Sequence, residues 1–238
     1  MGKRIATPMF FALWSVTLTA CLAVVAQIFE RTPEEAQMGI VQKIFYFHVP
    51  SAYCMYLGAT ACFVGSVGYF LSPRDLWDAI ARAGAGTAII FGLVVMTTGP
   101  LWAAKAWGRL WVWDTRLTTS LLSLLIYVAY GVLRSFAGDT GAEKRFAAAL
   151  GVVGAANLPV IHFAVQKWGG QHPQVISGNG GGLSHPQMRV ALILAFVAFT
   201  LLWTLLMWLR VRSDLVGRRM DRLTLDALDL GADVEVES

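Results

Sequence analysis

The sequence predicts an all-α fold: a polytopic bundle of six transmembrane helices with both termini on the cytoplasmic side. Three observations carry this. The 238 residues are 56% hydrophobic and only 14% charged, where a soluble domain of this size carries about 25% charged residues. The apolar residues fall into blocks of roughly 20, the length a helix needs to cross the hydrocarbon core. The basic residues favour alternate connections between those blocks, as the positive-inside rule requires. A formal charge of +4 in such a chain marks its cytoplasmic side rather than a nucleic-acid partner.

The first span is predicted at about 9–29, after Lys3 and Arg4. It is too long for a typical signal-peptide core and lacks a clean small-x-small site, so it reads as retained. The second, about 50–71, carries Gly58, Ala61, Gly65 and Gly68, and the third, about 84–101, carries Gly84, Gly86 and Gly92. Small residues let helices approach closely in lipid, within this chain or against a partner subunit. The fourth span is placed at about 117–136 and the fifth at about 147–165. In the fifth, Pro159 frees a backbone carbonyl that Asn157 is placed to satisfy. The sixth runs over about 188–209. Residues 1–210 thus form the membrane domain and 211–238 a cytoplasmic tail. From Asp226 the tail is acidic and without an apolar face, so it reads as solvated and partly disordered. GNGGG at 178–182 is a flexible break in the last outer loop.

Inner segments and inner span ends hold Lys3, Arg4, Arg74, Arg82, Arg134, Lys144, Arg145, Arg210, Arg212, Arg218, Arg219 and Arg222. Outer ones hold Arg31, Lys43, Lys105, Arg109, Arg116, Lys167 and Arg189. Three of the outer residues fall in one segment, WAAKAWGRLWVWDTR at 102–116. Trp102, Trp107, Trp111 and Trp113 alternate there with Lys105, Arg109, Asp114 and Arg116. The segment is expected to form a short interfacial helix in the outer loop. Tryptophan gathers at membrane interfaces without any ligand, but this density of rings and fixed charges suits a flat apolar molecule with carboxylates at one edge.

All four histidines, His48, His162, His172 and His185, fall on the outer side. Histidine is a common axial ligand of haem iron, and a porphyrin needs an apolar floor, ligands and cations for its propionates. Trp107, Trp111 and Trp113 can supply the floor. Lys105, Arg109 and Arg116 can meet the propionates, since arginine pairs well with carboxylates. Asp114 would orient Arg116 or the local backbone. The candidate ligand pairs are His48 with His172 and His48 with His185. His162 reads as a packed helix histidine or a group behind the ligands. Cys21, Cys54 and Cys62 lie in apolar spans without a C-x-x-C, so neither a redox motif nor covalent haem attachment is indicated. No P-loop, H-E-x-x-H or G-x-S-x-G occurs, so ATP hydrolysis and the common hydrolase mechanisms have no starting point.

WGRLWVWDTRLT at 107–118, YFHVPSAY at 46–53 and NLPVIHFAVQKWGGQH at 157–172 together resemble the cytochrome c maturation protein C family. These are haem-handling membrane proteins with a tryptophan-rich WWD signature, and the likeness covers roughly 30–210. It implies non-covalent haem b, held at the periplasmic face of the bacterial inner membrane and passed to a periplasmic haem chaperone (CcmE-like). It also implies work beside an ABC-type ATPase and its membrane subunit (CcmA/CcmB-like) and a small single-span helper (CcmD-like), in contact with lipid and without enzymatic activity of its own. By the family's pattern the axial ligands are the histidine of H-V-P and the one closing the N-L-P…H stretch, here His48 and His172. The chain departs from the family after His172, where the loop is Gly-rich and carries His185, which stands as the fallback ligand. The rival readings are a haem or small-solute permease, a haem-containing quinone-linked electron-transfer subunit, and an assembly subunit whose tryptophans are only an interface belt.

Overall fold

The computed structural model describes residues 2–136, 140–170, 172, 183 and 185–236, with the side chains of residues 2–7 and 229–236 left aside. The Gly-rich break expected at 178–182 lies outside the described residues. Among the described residues six helices follow one another: α1 Gly2–Ala26, α2 Phe45–Leu71, α3 Asp75–Trp107, α4 Thr115–Phe136, α5 Gly141–Trp168 and α6 Pro186–Val236. All six are long and apolar enough to cross a membrane. Between α1 and α2 the chain makes a π turn at Gln27–Arg31 and a 3-10 turn at Ile40–Ile44. Among the described residues there is no strand, only an isolated bridge between Glu35 and Gly39.

Two of the junctions have local causes that bear on the site. α3 stops at Gly108, which takes a left-handed φ of 68° and returns its N–H to Ala104 O at 3.1 Å; only glycine adopts that conformation cheaply. α4 starts where the Asp114 carboxylate accepts the Leu117 N–H at 2.8 Å, an acidic N-cap of the usual kind. Residues 108–114 between them are not helical. The expected interfacial helix is therefore absent: Trp102, Lys105 and Trp107 belong to the last turns of α3, and Trp111 and Trp113 to a short irregular link.

The helices run past the apolar blocks at the end opposite this link, because charges there neutralise one another. Arg134 of α4 donates to Asp78 of α3 at 2.8 Å, and both side chains are 3% exposed. Arg218 of α6 also reaches Asp78 and pairs with Asp75 at 3.2 Å and Asp214 at 2.9 Å. Arg82 pairs with Asp214 at 2.6 Å. This knot carries α6 beyond the sixth apolar block. The tail expected to be partly disordered from Asp226 is helical, with α6 continuing to Val236, while residues 226–228 are exposed as expected of a solvated tail. At 51 residues it is about 76 Å long at 1.5 Å per residue.

The small residues of α2 and α3 meet each other. A Cβ on Gly58 would lie 2.6 Å from the Ala88 backbone N, and one on Gly65 would lie 2.5 Å from the Ala81 backbone N. A Cβ on Gly84 would collide with the Cys62 backbone. Glycine is required where two backbones come this close, so these residues serve packing within the chain and lock the register of α2 against α3. Gly86 instead faces Arg210 of α6. Asn157 does not serve its own helix as expected. Its Nδ2 donates to Thr119 O at 2.7 Å and Ser123 Oγ at 2.8 Å, both on α4, so it ties α5 to α4. α1, through Val24, and the π turn after it, through Ile28, lean on α6 in one cluster with Met188, Ala191 and Ala195. The other side of α1 leaves Phe11, Trp14, Leu18 and Leu22 exposed, a surface suited to lipid. All three cysteines are free.

Candidate functional site

The starts of α2, α4 and α6 and the ends of α3 and α5 share one end of the bundle, and a cavity of about 390 Å³ opens there. Small-molecule sites fall in this size range. His48 enters from α2, Trp102 and Trp107 from the last turns of α3, and Arg116 from the first turn of α4. His162 comes from α5 and His172 from the segment after it. Two histidines 124 positions apart, His48 and His172, thus line one space. Deeper in, Met55, Val95, Met96 and Ile161 make an apolar floor.

His48 is the best-defined group in the site. Its Nδ1 lies 2.9 Å from Thr98 Oγ1 on α3, while its Nε2 has no protein partner among the described residues. The ring has room because the neighbouring α3 residue is Gly99: a Cβ there would sit 3.1 Å from His48 Cε1. Above it, Trp102 donates its indole N–H to Gln42 Oε1 at 3.2 Å, which joins α3 to the turn before α2.

Arg116 brings a guanidinium to the cavity wall, yet among the described residues no carboxylate lies within ion-pair distance of it. Asp114, two residues earlier, acts on Arg116 electrostatically from beyond ion-pair distance. Its Oδ1 caps α4, and its Oδ2 faces Gly170, where a Cβ would stand 3.0 Å away. Asp114 therefore orients local backbone and rests against the segment that delivers His172. Gly169 and Gly170, with φ of 73° and 148°, turn the chain after α5 as a residue bearing a Cβ could not without strain. Asp114 Oδ2 and Trp111 Nε1 are both buried with no hydrogen-bond partner among the described residues, an acceptor and a donor left open in the same link.

The remaining candidates stand apart from the cavity. Trp111 and Trp113 pack edge to face on each other, with centroids 5.5 Å apart, and neither lines it. Trp113 is 74% exposed. Arg109 is exposed and also outside the lining. His185 accepts the Gln187 N–H at 3.2 Å at the start of α6 and does not reach the cavity. His162 is the residue the sequence reading undervalues: it is exposed rather than packed, lines the cavity, and stacks edge to face on Phe163. The one available signal is its spacing from Val165 and Gln166, which line the cavity one turn further along α5. That spacing alone does not tell a lining histidine from one that faces lipid.

The family model described as heme exporter protein C matches residues 2–226. The chain is similar to the heme exporter protein C of Bradyrhizobium diazoefficiens, 32% identical over 194 residues, covering 81% of this chain and 74% of the relative. It is similar to the heme exporter protein C of Escherichia coli K12, 31% identical over 210 residues, covering 86% and 83%. It also resembles a putative cytochrome c biosynthesis ccmC-like mitochondrial protein of Marchantia polymorpha, 31% identical over 186 residues, covering 78% of each. With a family model spanning nearly the whole chain and relatives aligned over most of their length, this chain belongs to the heme exporter protein C family.

Proposed function

We propose that this chain is the haem-handling membrane subunit of a cytochrome c maturation system. It holds non-covalent haem b at the periplasmic face of the bacterial inner membrane and delivers it to a periplasmic haem chaperone. The observation that carries the reading is the cavity that gathers His48, His172 and Arg116 from separate parts of the chain. The residues fit the group: imidazole nitrogens for iron, a guanidinium for a propionate, and apolar walls from Trp102, Trp107 and Met96 for the ring. His48 and His172 would hold the haem iron. His172 is preferred to His185 because it lines the cavity while His185 caps α6.

The chain's own residues bind and orient. Bound haem would supply the iron chemistry, while this chain's residues supply its position and the charge around it. The link at 108–114, with exposed Leu110 and Trp113, offers an apolar surface where a chaperone can dock. An ABC-type ATPase, its membrane subunit and a small single-span helper supply the energy and the assembly, since this chain carries no nucleotide-binding motif. A permease reading is disfavoured by depth. The lining runs along α3 from Trp107 down to Val95, twelve residues or about 18 Å at 1.5 Å per residue, short of a hydrocarbon core of about 30 Å. The test is genetic: cells lacking this chain should lose c-type cytochromes, as read by haem-dependent peroxidase staining. The native chain should restore them and His48→Ala should not. Normal cytochrome levels without the chain would overturn the proposal.

A further inference from the structure

We infer that Thr98 is a positioning residue that fixes the tautomer and ring orientation of His48; this rests on the reading of His48 as an iron ligand. Thr98 Oγ1 lies 2.6 Å from Val94 O. A carbonyl only accepts, so the single hydroxyl proton of Thr98 is committed there. Towards His48, at 2.9 Å, the hydroxyl oxygen can then only accept. His48 must therefore carry its proton on Nδ1 and present the lone pair of Nε2, which has no protein partner among the described residues. That is the form in which imidazole binds a metal, with the second nitrogen held by a hydrogen bond.

The device depends on the register of two helices. The close backbone contacts of Gly58 and Gly65 on α2 with Ala88 and Ala81 on α3 hold His48 opposite Thr98. Gly99 leaves the space in which the ring stands, since a Cβ would come within 3.1 Å of Cε1. Neither Thr98 nor Gly99 needs to touch the ligand.

The experiment titrates full-length protein with haemin, reading the Soret band for affinity and then the midpoint potential of the bound haem. Thr98→Val keeps the shape and removes the acceptor. Outer partners of metal-bound histidines are worth about 10- to 100-fold in affinity, and for a neutral hydroxyl the expected loss is about tenfold. The potential should rise, because the ring loses the hydrogen bond that makes it a stronger donor. Thr98→Ala should reproduce both effects, and Thr98→Ser should restore both. Native affinity and potential in Thr98→Val, or equal impairment in Thr98→Ser, would overturn the inference. His48→Ala separates the two levels: if it binds haemin normally the ligand reading fails, whereas if it loses haemin while Thr98→Val is unchanged only the role of Thr98 fails.

Discussion

Arg116 offers a prediction in which the ligand itself supplies the control. Its guanidinium is half-buried at the cavity wall with no carboxylate in ion-pair range among the described residues. Two unit charges 4 Å apart interact by about 4 kcal/mol at an effective dielectric of 20. After desolvation, a hydrogen bond to a charged group is worth about 1.5–3 kcal/mol net. Partial exposure of Arg116 places it at the lower end, so Arg116→Met should weaken haemin binding about 10- to 30-fold. The assay is Soret titration of the full-length protein with haemin and, in parallel, with haemin dimethyl ester, whose propionates carry no charge. The variant and the native protein should bind the ester equally. Because the Arg116 side chain makes no hydrogen bond or ion pair among the described residues, the melting temperature should change little. Equal loss for haemin and its ester, or native affinity for haemin, would refute the propionate role.

Other expectations follow from the packing. Asp78→Ala leaves Arg134 and Arg218 without their shared, 3%-exposed carboxylate; breaking a buried pair costs about 3–5 kcal/mol, so the variant should accumulate poorly and melt lower in thermal-shift measurements. Gly58→Val forces α2 from α3, since even a Cβ would stand 2.6 Å from Ala88 N; it should reduce both accumulation of the protein and haemin binding. His185→Ala should keep the native Soret spectrum, because His185 lies outside the cavity, and a lost band would reopen it as a ligand.

The six helices were legible because lipid demands long apolar blocks, and composition shows those directly. Their ends were not. Asp75, Asp78 and Arg218 fall outside the predicted spans, yet they are helical and pair with one another and with Arg134 across α3, α4 and α6. The tryptophan-rich segment was visible by its density, yet its division was hidden: the cap at Gly108 assigns Trp102 and Trp107 to α3 and the cavity, and leaves Trp111 and Trp113 packed on each other. His48 and His172 could be singled out from the sequence. That they share a space with His162, and that Thr98 stands behind His48, depends on how α2, α3 and α5 pack, which no local pattern encodes.

The most direct measurement is the absorption spectrum of full-length protein loaded with haemin, compared among the native chain, His48→Ala and His172→Ala. The native Soret band should be lost or strongly shifted in both variants, with membrane insertion unchanged. A native spectrum in either variant would contradict the assignment of that histidine, and a native spectrum in both would contradict the site.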